Sequence, residues 1–104
     1  MQTFIMLTRL GAGAVPEPER LQDLEHDVAE RVRAVCPTVE WIASYAVIGP
    51  CDYVDIFKAP DFDAALKTAA LVRSIGRAQT EVWPATDWRH FKQLLREIKS
   101  GHMA

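Results

Sequence analysis

The chain has 104 residues, 49% of them apolar and 25% charged, the balance of one compact globular domain with a single core. Twelve basic against fourteen acidic side chains leave a net charge of -2 with no cationic run, so the electrostatic footprint that dominates nucleic-acid affinity is missing. No stretch approaches the roughly 20 apolar residues that span a bilayer, and Thr3–Leu10 is too short and wrongly flanked for a secretory signal, so a cytoplasmic protein without nucleic-acid or membrane partners is expected.

The first strand is expected over Thr3–Arg9, where β-branched and apolar residues crowd together. Leu21, Leu24, Val28, Val32 and Val35 then recur at three- and four-residue steps, which predicts a helix from about Pro18 to Cys36, ended by Pro37. Trp41–Ile48 and Tyr53–Phe57 read as two strands joined across a Gly-Pro turn. Asp61 is a capping residue for a helix carrying Leu66, Ala69, Val72 and Ile75, and Gly76 stands where a left-handed terminating residue belongs. Ala78–Trp83 is a fourth strand, stopped by Pro84, whose missing N–H cannot serve an interior ladder. A last helix starts at Thr86 or Asp87 and aligns Trp88, Phe91, Leu94 or Leu95, and Ile98.

The order β-α-β-β-α-β with a terminal helix is a ferredoxin-like α+β arrangement, with two helices on one face of a four-stranded sheet. Residues 1–99 form the single domain, and 100–104 read as a disordered tail or a cloning remnant. Two helices leave the second sheet face to solvent, to the terminal helix or to another chain. If Ile5, Leu7, Val54 and Ile56 face the helices, alternation sends Phe4, Met6, Thr8, Tyr53, Asp55 and Phe57 to the other side. An apolar face of that extent predicts a homodimer that pairs the two sheets.

Cys36 and Cys51 lie far apart without ligand spacing, so neither a disulfide framework nor a metal site is indicated and both are expected reduced. No cofactor is indicated either.

Several local patterns resemble one known family. Gly49-x-x-Asp52, the following Tyr53-Val-x-Ile, the helix start Ala59-Pro60-Asp61 and the run Ser74-Ile-Gly-Arg77 leading to Thr80-Glu81 are similar to the GYD domain family across most of residues 2–91. Cys51 stands where the tyrosine of the family's Gly-x-Tyr-Asp turn is expected, and Tyr53 lies two residues on along the same strand face. The resemblance implies a dimeric α/β-barrel with a ferredoxin-like protomer, in a family whose biochemical role is largely uncharacterised.

The residues that carry chemistry have bland readings beside sharp ones. Asp52 suits a turn that bonds nearby backbone amides better than a ligand site. Asp55, between Tyr53 and Phe57, reads equally as a pocket acid with a raised pKa or as half of a dimer ion pair. Tyr45 and Tyr53 offer hydroxyls that orient a carbonyl or quinone oxygen, although packing is the commoner role of a strand tyrosine. Cys51 lacks a basic neighbour to activate its thiol. His26 falls off the apolar stripe, whereas His90 on the last helix suits a general base or haem ligand if that helix covers a barrel mouth. Arg9 and Arg77 near strand ends suit a carboxylate, or an ion pair with Glu81 or Asp52.

Three functions remain open. The first is a small-molecule-binding homodimer with a pocket on the sheet face lined by Met6, Tyr45, Tyr53, Asp55, Trp83 and His90, with Gly49 and Asp52 as the turn motif. The second, by fold analogy, is a cofactor-independent oxygenase or isomerase of an aromatic or polyketide-like compound, in which Asp55 or His90 abstracts a proton and a tyrosine stabilises the enolate oxygen. The third is a ligand-free oligomerisation or regulatory module.

Overall fold

A computed structural model of the chain describes residues 1–11 and 18–101. Its elements are β1 (Gln2–Leu10), α1 (Pro18–Val35), β2 (Glu40–Ala46), β3 (Tyr53–Ala59), α2 (Phe62–Gly76), β4 (Ala78–Ala85) and α3 (Trp88–Lys99). The four strands form one antiparallel sheet in the order β2-β3-β1-β4, which is the ferredoxin-like arrangement. His102, Met103 and Ala104, most of the expected tail, lie outside the described residues.

The core sits on the side opposite to the one expected. Phe4, Met6, Phe57 and Ala59 are fully buried against Ala65, Ala69 and Val72 of α2. Ile5, Leu7, Val54 and Ile56 therefore lie on the uncovered face, together with Trp83, which pairs with Ile5. Both faces of β1 and β3 are apolar, so alternation alone cannot rank them. The choice falls to α2, whose inward stripe of Ala65, Thr68, Ala69, Val72 and Gly76 is small enough to receive two phenylalanines and a methionine. Leu66, expected on that stripe, is exposed instead. Burying each large core side chain contributes about 1.5–3 kcal/mol of transfer free energy.

The helix termini follow local rules. Asp61 caps α2 by accepting the N–H of Ala64 at 2.9 Å, and Asp87 caps α3 by accepting the N–H of His90 at 2.8 Å. The left-handed residue at the end of α2 is Arg77, with φ 49°, whereas Gly76 closes the helix. Strand β4 runs through Pro84 because it is an edge strand, paired only with β1, and one side of its backbone has no ladder to serve.

Two features of the packing bear on function. Helix α1 packs along α2 and makes no close backbone approach to the sheet, which leaves a space beneath it. Helix α3 packs on no other element among the described residues, and Trp88, Phe91, Leu94, Leu95 and Ile98 are all exposed. The radius of gyration is 16.3 Å, against about 13 Å for a compact domain of this length.

Candidate functional site

The space beneath α1 is a cavity of about 710 Å³ bounded by one side of the sheet. Strand register arranges that side of the sheet in three tiers. Phe4, Phe57 and Trp41 stand opposite one another, then Met6, Asp55 and Ser44, then Thr8, Tyr53 and Ala46. Trp41 and Ser44 are three residues apart and would face opposite ways in a regular strand. A bulge that inserts Ile42 between Trp41 and Ala43 brings both onto the cavity side.

The first tier is an aromatic stack. Trp41 and Phe57 have ring centroids 5.3 Å apart at 9°, and Phe57 and Phe4 follow at 5.6 Å and 22°. Such offset pairs add about 0.5–1.5 kcal/mol each beyond their buried area. The stack fixes the Trp41 indole, whose Nε1–H donates to Ser44 Oγ at 2.6 Å.

Asp55 is the electrostatic centre of the second tier. Burial pushes its carboxyl above the usual 3.8, hydrogen bonding with Ser44 and Trp41 opposes that, and the negative charge of Glu25 on α1 raises it further. Tyr53 is also held above its ordinary phenol value, by burial first and then by the charges of Asp52 and Glu25. Thr8 is 4% exposed, and its Oγ1 is the one buried side-chain oxygen or nitrogen among the described residues without a hydrogen-bond partner. Leu21, Leu24, Val28 and Val32 of α1 supply the apolar roof.

The structure splits the six residues expected to form one pocket. Tyr53 and Asp55 share the cavity with Thr8, while Met6 lies buried in the core beside them. Trp83 is half-exposed on the other face of the sheet. Tyr45 borders the cavity from β2, yet its position opposite Val54 directs it toward the open side. His90 sits on the projecting α3, where its Nδ1 hydrogen-bonds Thr86 Oγ1 at 2.8 Å. The convergence of Asp55, His90 and two tyrosines required for proton abstraction and enolate stabilisation does not form within one chain. Alternation already places Thr8 on the face of Tyr53 and Asp55, whereas Ser44, Trp41 and Glu25 do not follow from it, because the bulge and the crossing of α1 are not periodic signals.

The turn motif is a clamp. Asp52 Oδ2 accepts the N–H of Leu10, the Asp52 N–H donates to the Thr8 carbonyl, and the Asp52 carbonyl accepts from Val47. Arg9 Nε donates to the Pro50 carbonyl at 2.8 Å, so this arginine is committed to the turn. Gly49 has no atom within 4 Å of a Cβ built upon it, so bulk alone does not require glycine there. Cys36 is buried and Cys51 half-buried, both as free thiols. Among the described residues no group of three His, Cys, Asp or Glu side chains could hold a metal ion, and no helix is long and apolar enough to cross a membrane.

Among solved structures, the fold resembles FFRP-DM1, with a TM-score of 0.53, 20% identity, and coverage of 83% of this chain and 100% of that one. A hypothetical protein from Pyrococcus horikoshii gives 0.52 and 21% over 86% of this chain and 95% of that one. The leucine response regulatory protein LrpA of Mycobacterium tuberculosis gives 0.52 and 14% over 83% of this chain, which spans only 51% of that protein. These likenesses are of fold. A Thermus thermophilus protein described as a glutamine synthetase and cystathionine beta-lyase binding protein is 35% identical over 98 residues, covering 84% of this chain and 94% of that one. The GYD domain matches residues 4–95, spanning every element from β1 into α3, and the chain belongs to the GYD domain family.

Proposed function

We propose that the protein is a homodimeric binding module that associates with an enzyme of amino-acid metabolism. The observation that carries this reading is the pair of uncovered apolar surfaces that the fold leaves on one chain. The open sheet face, with Ile5, Leu7, Val54, Ile56, Tyr45 and Trp83, is broad and suits a second copy related by a two-fold axis. Helix α3 has an apolar stripe on a 12-residue helix, too short to be stable in water without a partner. It suits docking into a groove of the enzyme. The 35% identity to a protein named for binding glutamine synthetase and cystathionine beta-lyase supports that class of partner.

The test is size-exclusion chromatography with light scattering, alone and with glutamine synthetase or cystathionine beta-lyase from the same source. The protein is expected to elute as a dimer and to co-elute with one of the enzymes. Trp83→Lys is expected to give a folded monomer, and Leu95→Asp a dimer that no longer co-elutes. A monomeric wild type would remove the dimer, and failure to bind either enzyme would remove the partner class.

A second reading, that the protein also binds a small organic molecule, is favoured by the cavity beneath α1. Its volume of about 710 Å³ lies within the range of ligand pockets, which run from about 300 to 1,000 Å³.

A further inference from the structure

The polar groups of the cavity are unequal in kind. Asp55 and Glu25 are carboxylates that both line it, and the negative charge of Glu25 raises the pKa of Asp55 and of Tyr53. The other charged lining group is Arg33, eight residues further along α1, or about 12 Å by helical rise. Among the described lining residues the corner formed by Asp55, Tyr53 and Thr8 is thus an acidic recess, its carboxylates outnumbering the one basic group. Thr8 lines the same recess, and its Oγ1 is buried there without a partner. A buried polar atom left unpaired is costly, and in a native structure it calls for an explanation, a water or ion that completes it being one.

Resting on the small-molecule reading above, we propose that the cavity binds a small organic amine, its ammonium held by Asp55 and Thr8 and its apolar body lying between Trp41 and the roof of α1. An ammonium offers three donors and no acceptor. One donor reaches the Asp55 carboxylate, one the lone pair of Thr8 Oγ1, and the third the Tyr53 or Ser44 oxygen. The cation also relieves the repulsion between Asp55 and Glu25, which an alcohol or a carboxylic acid of the same shape does not. The flat Trp41 ring, held by its stack on Phe57, and the leucines and valines of α1 leave a slot for an aromatic or aliphatic body.

Thermal shift and calorimetric titration of the intact protein with phenethylamine, phenethyl alcohol and phenylacetate test this. Phenethylamine is expected to raise Tm saturably and to bind at least about tenfold more tightly than the other two, the scale of a charge-assisted hydrogen bond. Asp55→Asn is expected to remove that preference, and Thr8→Val, an independent variant of nearly the same shape, to weaken the amine alone. If the alcohol or the acid matches the amine, or if Asp55→Asn keeps the preference, the amine assignment is wrong while the cavity stands as a ligand site. If no compound binds and Leu24→Trp, which fills the space, leaves the protein unchanged in every titration, the cavity reading fails along with the amine.

Discussion

Asp52 and Leu10 are 42 residues apart, yet the Asp52 carboxylate accepts the Leu10 N–H at 2.8 Å, while the Asp52 N–H returns to the Thr8 carbonyl at the same distance. The turn before β3 therefore grips the last residues of β1 by side chain and backbone together. The aspartate of the family's turn motif acts here as a register pin, and it holds Thr8 at the place where that residue enters the cavity.

Removing the pin is expected to cost stability without emptying the core. Asp52→Ala should lower the free energy of unfolding by about 0.5–1.5 kcal/mol, the net worth of a solvent-exposed hydrogen bond, and Asp52→Asn should lose less because an oxygen remains. Urea denaturation of both variants checks the ordering, and equal losses would mean that the acceptor is not what matters.

Phe57 lies fully buried between Phe4 and Trp41, and Phe57→Ala removes the centre of the stack. The expected cost is about 3–5 kcal/mol from transfer and cavity terms, a large share of a typical stability of about 5–15 kcal/mol. Near-ultraviolet circular dichroism should also lose the signal of an immobilised Trp41. A denaturation midpoint close to that of the wild type would show that the stack does not anchor the core.

Asp55 gives a pH dependence with a definite sign. Its folded-state pKa lies above the unfolded value of 3.8, with burial as the main cause, so between those two values the folded state binds more protons than the unfolded state. The stabilising contribution is full below 3.8 and is lost as pH rises through the folded value. Asp55→Asn removes the titration, so its Tm relative to wild type should increase as pH is raised from below 3.8 toward neutrality. Melting curves across that range decide the matter, and a constant difference would mean that Asp55 titrates alike in both states.

Much of the fold was legible in local chemistry. The capping aspartates Asp61 and Asp87, the stripe Leu21–Val28–Val32 and the punctuation around each strand act within a few residues, and the helices start where those signals stand. Pro84 misled because its effect depends on whether the strand has neighbours on both sides, and only the sheet order places β4 at an edge. The candidate site was half legible. Tyr53 and Asp55 share a face by alternation, whereas Trp41 and Ser44 reach it only through the bulge at Ile42, which shifts the period by one residue.

The sequence by itself determined the element order, the family and the presence of two apolar faces on β1 and β3, because each follows from neighbouring residues and their spacing. Tertiary structure alone decided which face became the core. Phe4, Met6 and Phe57 went under α2, and Ile5, Leu7, Val54 and Ile56 stayed open, because the small side chains Ala65, Thr68 and Ala69 of α2 let the larger set pack closely. That same choice carried Asp55 and Tyr53 beneath α1 and left Trp83 on the opposite surface, so one packing decision separated the cavity from the interface.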